Sequence, residues 1–312
     1  TTLITGKDIL YFWVTKMIMF SLYFTGKIPF KQVLLHGIVR DDKGEKMSKS
    51  KGNGIDPLDI INKYGADALR YTLIYNLPLG DDINISMKSF DLGKTFCTKL
   101  WNATRYILMN ISDSDINLIQ PNHYQIENIN DFDKWIICKI NLVNSKMSQL
   151  ISEYNFSSAL KILGDFFWND FCNMYLEISK NYISDQSTKE TLLILLSKIL
   201  RMYHPFVPFI TEELWNQINK FFINMPKSIM STNWPYVIEV TDTNSTQYFI
   251  DMIHKVRTTK GSNNYKKVII TNDNESNVEF LNINKIAFCK LTKIDDVDCI
   301  RDAENNMIFN DA

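Results

Sequence analysis

From Ser86 to Phe222 apolar residues recur at helical spacing almost without a break, and that pattern confines the middle of the chain to packed helices. The spacing predicts helices near 86–111, 132–153, 156–183, 187–203 and 208–222. Ser187-Thr188-Lys189-Glu190 reads as a capping box ahead of "LLILLSKIL", and Pro205 and Pro208 in "HPFVPFITEELW" set the next junction. Consecutive long helices with short links make a bundle. The one longer link, near 112–131, is polar and Asn-rich and is expected to be an exposed loop.

The flanks read differently. "KDILYFWVTKMIMFSLYF" (Lys7 to Phe24) is apolar on nearly every face. It is shorter than the ~20 residues of a membrane span and carries Lys16 in its middle, so the expectation is a buried helix ended by Gly26 and Pro29. "VLLHGIV" (Val33 to Val39) has the composition of a buried parallel strand. A strand, a polar loop and a helix in that order form an α/β nucleotide-binding, Rossmann-like unit. Asp56-Pro57 marks a helix start, and Asp67 is expected to cap a second short helix, "ALRYTLIY". Beyond Trp234-Pro235 the pattern mixes: "FIDMIHKVR" predicts a helix, "YKKVIIT" and "KIAFCKLT" predict strands. The reading is therefore an α/β unit over 1–80, an all-α bundle over 81–236 and a small mixed α/β tail over 237–312.

A formal net charge of −1 excludes an overall basic character, so any contact with nucleic acid must come from a local surface. The five cysteines are scattered and form no C-x-x-C pair, which argues against a zinc knuckle or a disulfide framework and for a reducing compartment.

Residues 41 to 53, "DDKGEKMSKSKGN", gather four lysines, two serines and two glycines. Lys46 and Lys49 carry compact charges on flexible stems suited to phosphate oxygens. Ser48 and Ser50 add hydroxyls, and Gly44 and Gly52 let the backbone approach a ligand. Such a loop could neutralise a triphosphate as charge moves onto departing pyrophosphate. A solvated lysine-rich loop has the same composition, and only the order of residues separates the two readings.

That order, "KMSKS" at 46 to 50, resembles the signature loop of class I aminoacyl-tRNA synthetases. "HGIVRDDKGEKMSKSKGNGIDPLDIINKYGADALRYTL" is similar to the second half of the catalytic domain in the branch for valine, isoleucine and leucine. "TGKDILYFWVTKMI" with "IVRDDKGEKMSKS" resembles the valyl family most closely; isoleucyl enzymes usually carry a Gln, Arg and Gly pattern where this chain has Ile9-Leu10-Tyr11-Phe12. "KLWNATRYILMN", "FFWNDFCNMYLEISK" and "HPFVPFITEELW" resemble that family's helical anticodon-binding domain. The resemblance covers roughly residues 1 to 236.

The resemblance implies an ATP-dependent valine–tRNA ligase of the cytoplasm, acting on valine, ATP and valine tRNA, with no membrane contact. Lys46 and Lys49 match the lysines that stabilise attack of the valine carboxylate on the α-phosphate, with the larger role at Lys49. Gly6 and Asp8 match a ribose-contacting segment, and His36 with Gly37 a pair beside the adenine. Ser48 and Ser50 join the ATP site, and Trp13 matches a residue of the amino-acid pocket. Lys99, Asn102 and Arg105, at i, i+3 and i+6, share roughly one helix face that could meet the anticodon. Magnesium is expected to arrive with ATP, and no protein-bound zinc is expected. The chain opens on Thr1-Thr2 and shows neither a His-Ile-Gly-His type motif nor an editing region, so it reads as part of an enzyme that would not complete the reaction alone. An isoleucyl-type synthetase and a non-catalytic tRNA-binding module are the alternative readings.

Overall fold

The computed structural model describes residues 1–77, 80–111, 119, 129–241, 244–261, 263, 265–302 and 305–310, the side chains of Lys49 and Asn310 excepted. The link expected as a loop near 112–131 lies mostly outside these residues.

The chain starts with β1 (Thr2–Gly6), a short irregular turn, and α1 (Thr15–Thr25), which Gly26 ends in the left-handed region at φ 67°. β2 (Gln32–His36) pairs in parallel with β1, and β3 (Val39–Arg40) pairs in parallel with β4 (Ile83–Asn84). Between them lie α2 (Pro57–Tyr64) and α3 (Ala66–Asn76). Asp56 caps α2 as its sequence requires, its carboxylate accepting from the Leu58 amide. The apolar segment over 7–24 is helical but not buried: Val14 alone is shielded, and Tyr23 and Phe24 are 83% and 73% exposed. α1 packs mainly against the turn that leads into it, which leaves its apolar side chains largely in solvent.

Five helical segments form the bundle: α4 (Asp91–Met109), α5 (Asp131–Ser152), α6 (Phe156–Asp165) continued through a wider turn into α7 (Leu176–Ser179), α8 (Gln186–Tyr203) and α9 (Pro208–Ile218). Their apolar faces meet in one core, where Phe96, Trp135, Phe167 and Tyr203 are fully buried. The capping box expected at Ser187 is not used. α8 begins at Gln186 after Asp185, and Thr188 is buried, donating instead to Asp133 at 3.1 Å.

The tail runs α10 (Asn244–Lys260), β5 (Lys267–Asn272), α11 (Glu275–Ile283), α12 (Lys285–Thr292), β6 (Asp296–Arg301) and β7 (Met307–Asn310). β5 is central, parallel to β6 and antiparallel to β7. "KIAFCKLT" is thus a helix, not a strand: Ala287, Phe288 and Leu291 are buried while Ile286 is exposed, a helical spacing rather than an alternation. Phe132 of the bundle packs edge-on against Phe249 and Phe280 at 5.4 and 5.5 Å, so tail and bundle share their core.

α3 is the joint between the first unit and the bundle. Tyr71 stacks on Phe96 at 4.2 Å. Arg70 donates to the carbonyls of Phe206 and Pro205, both at 3.0 Å. Asp67 does not cap its own helix. Its carboxylate accepts from the Phe209 and Ile210 amides at 3.3 and 2.6 Å, capping α9 across the joint. Burial pushes the Asp67 carboxyl above its ordinary pKa. "HPFVPF" is accordingly structural, with His204 bonded to Thr211 at 2.7 Å.

Candidate nucleotide site and RNA-facing helix

Parallel pairing puts Gly6 directly opposite His36, at the C-terminal ends of β1 and β2, the end of an open α/β sheet where ligands sit. A Cβ on Gly6 would lie 3.0 Å from an Asp8 carboxylate oxygen and 3.7 Å from the His36 ring, so the glycine lets these two side chains converge. Asp8 then meets the lysine loop: Lys46 Nζ donates to Asp8 Oδ2 at 2.7 Å. The Lys46 ammonium holds the Asp8 carboxyl below its usual range. Both side chains are about half exposed, so the pair is open to solvent and to exchange.

The loop is held from inside. Asp41 accepts from the Lys43 and Glu45 amides at 3.1 and 2.7 Å and from Asn53 Nδ2 at 2.9 Å, and its carboxyl is lowered, chiefly by the Asn53 bond. Asn53 Oδ1 in turn accepts from the Ser48 amide at 2.9 Å. Gly44 and Gly52 take φ of 79° and 65°, closing both ends of the loop where a side chain would be strained. Ser48 and Ser50 hydroxyls lie 3.2 Å apart. Lys49 opens a short turn over Lys49–Lys51, and its side chain lies outside the described residues.

Beneath the loop Asp82 gathers Lys7 at 3.2 Å, Arg40 at 2.6 Å and the Ile38 amide at 2.9 Å. The Ile38 amide first, then Arg40, drive its carboxyl far below the ordinary range. Gly37 has a structural reason to be glycine: a Cβ there would stand 1.5 Å from the Asp81 carbonyl oxygen. Sequence reading missed Arg40, Asp41, Asn53 and Asp82. The "DDKG" turn chemistry signals Asp41; nothing local signals Asp82.

Trp13 is 59% exposed, with Lys16 Nζ 5.8 Å from its ring centroid. On α4, Lys99 lies 5.1 Å over the Trp168 ring, while Asn102 and Arg105 are exposed further along the helix. The structure thus joins Gly6, Asp8, His36 and Lys46 in one place by direct juxtaposition. Among the described residues no three His, Cys, Asp or Glu side chains group as a metal site, and no helix is long and apolar enough to cross a membrane.

Residues 1–86 match the family described as tRNA synthetases class I (I, L, M and V), and residues 133–271 match the anticodon-binding domain of tRNA ligase. The fold agrees. The LeuRS of Agrobacterium radiobacter K84, solved with tRNA and LeuAMS, superposes with a TM-score of 0.57 at 20% identity, over 76% of this chain and 29% of that one. The chain belongs to the class I tRNA synthetases. Its homologues over most of its length are valine–tRNA ligases: that of Fusobacterium nucleatum is 36% identical over 97% of this chain, and that of Mesoplasma florum 38% over 88%. The chain spans about a third of the length of these curated relatives, 35% and 31% respectively.

Proposed function

We propose that this chain supplies the ATP-closing loop and the anticodon-recognising bundle of a cytoplasmic valine–tRNA ligase. In that reaction the valine carboxylate attacks the α-phosphate of ATP, pyrophosphate leaves, and the valyl group passes from the adenylate to valine tRNA. Positioning and charge stabilisation suffice for the first step, and no protein nucleophile is required. Lys46 and Lys49 neutralise charge moving onto pyrophosphate. Gly6, Asp8, His36 and Gly37 receive the nucleoside, Ser48 and Ser50 bond phosphate oxygens, and Trp13 borders the valine side chain. Magnesium enters bound to ATP. Lys99, Asn102 and Arg105 face the RNA. Homology to valine–tRNA ligases favours valine over isoleucine.

The observation that carries this reading is the Lys46–Asp8 contact, which brings the signature loop onto the strand ends carrying Gly6 and His36. The test is binding of the chain to valine tRNA and to the same tRNA with its anticodon exchanged, at one near-physiological salt concentration. A clear preference for the native anticodon supports a valyl recognition domain. Equal binding to both removes the bundle from the reading.

A further inference from the structure

A cleft of about 610 Å³ opens where the bundle meets the tail. Five cations from three helices line it: Lys99 on α4, Arg257 and Lys260 on α10, and Lys290 and Lys293 at the end of α12. Its one acidic side chain, Glu177, is already paired with Lys180 at 2.7 Å. Among the described residues none of the five cations lies within 4.0 Å of a carboxylate.

Two of the five do structural work. Arg257 donates to the Leu291 carbonyl at 2.9 Å and Lys260 to the Lys293 carbonyl, so both satisfy the open C-terminal end of α12. That leaves Lys290, whose Nζ lies 3.5 Å from Asn181 Oδ1, and Lys293 exposed on the cleft that Lys99 also lines. Lys293 occupies a left-handed position, φ 56°, where glycine or asparagine would be less strained. Five cations converging on one cleft with a single carboxylate among its lining residues, one already shared with Lys180, oppose folding, and an arrangement of this kind is explained by an anion that occupies it.

We infer that this cleft binds the phosphate backbone of an RNA strand, which makes residues 257–293 of the tail a working part of the RNA surface. The inference rests on the tRNA reading above and extends it, because Lys99 belongs both to the cleft and to the α4 face with Asn102 and Arg105. Flexible lysines spread along an open groove suit a strand of successive phosphates. Contacts of this kind position RNA without reading its bases.

The test uses the full 312-residue chain and a labelled valine-tRNA transcript over a salt series. The double variant Lys290→Gln/Lys293→Gln is compared with Lys146→Gln/Lys227→Gln, a pair of exposed lysines outside the cleft. Neither rim lysine caps a helix carbonyl with its side chain, so an unchanged unfolding midpoint is expected. The rim variant should bind roughly tenfold more weakly near 0.1 M salt, and the slope of log affinity against log salt should fall by about 1–2. The loss should be the same for the native and the anticodon-exchanged RNA. A rim variant indistinguishable from the control pair overturns the inference, as does displacement of the RNA by polyglutamate at equal charge. Loss of anticodon preference with the rim effect intact would count against the anticodon reading alone. Preserved preference with no rim effect would count against the cleft alone.

Discussion

Residues 91–310 and residues 1–90 are built on opposite terms. In the first region helices and a three-stranded sheet share one core, whose large side chains are almost entirely excluded from solvent. In the second, the two two-stranded sheets are separate, the fully buried hydrophobic cluster among the described residues is Ile60, Ile83, Ile85 and Phe90, and α1 buries none of its residues. The candidate nucleotide-site groups stand on the weakly cored side. Their surroundings are held by polar bonds within the loop, through Asp41 and Asn53, and by Asp82 outside it, which gathers Lys7, Arg40 and the Ile38 amide. The densest core and the candidate site thus lie in different parts of the chain.

The largest test of that contrast is a pair of truncations. Phe167→Ala, in the bundle core, should cost about 3–5 kcal/mol in urea unfolding. Phe20→Ala, on α1, should stay within about 0.5 kcal/mol. Similar losses at both positions would break the comparison.

The buried carboxylate of the bundle and the exposed ones around the loop should also respond oppositely to acid. Burial raises Asp133, inside the bundle, to a pKa of about 6, although Tyr175 and Thr188 donate to it. A folded pKa above the unfolded 3.8 means that the native state holds this proton more tightly, so its contribution is full below pH 4 and is lost as pH rises through 6. Unfolding free energy should decline by something on the order of 3 kcal/mol across that window, and Asp133→Asn should flatten the decline. Asp8, Asp41 and Asp82 are lowered, so their contribution is present above the unfolded value and is lost only as pH falls below about 4. A single shared acid profile would show that the distinction is not real.

The joint gives the next effect. At Gly93 a Cβ would stand 2.3 Å from the Ala68 carbonyl oxygen and 2.7 Å from its Cα, so α3 and α4 can approach only because this residue is glycine. Gly93→Ala should cost about 1–3 kcal/mol. It should also lower protease resistance near α3 more than in α11, which packs on α10 and β6. Uniform loss across both helices would place α3 inside the bundle's cooperative unit.

How much of this was legible in sequence follows the same divide. The helices over 91–218 were readable within a few residues because each buries a continuous apolar stripe, and the loop was readable because its residue order is specific. What sequence missed involves partners far along the chain. Asp67 looks like a local cap but caps a helix some 140 residues on, at Phe209 and Ile210. Ser187 to Glu190 has the pattern of a capping box, yet Thr188 is taken by a buried bond to Asp133. "KIAFCKLT" is rich enough in apolar residues for a strand, and only its packing against α10 and β6 makes it a helix. Lys99, Arg257 and Lys293 are spread over nearly 200 positions, so no local pattern could join them.

The smallest expected effect lies at the nucleotide site itself. Lys46 and Asp8 are an exposed pair, and exposed pairs contribute little to stability because water and salt screen them. Asp8→Asn and Lys46→Gln should each leave the urea midpoint where it is. The contact has a separate signature: Lys46 is the principal cause of the lowered Asp8 carboxyl. In Lys46→Gln the Asp8 pKa, followed by NMR, should rise toward its unperturbed value, and in the unaltered chain added salt should raise it in the same direction. An Asp8 titration indifferent to both would mean that the loop does not rest on the turn after β1 in solution. The candidate site would then not be preformed, and the contrast with the preformed bundle would be sharper still.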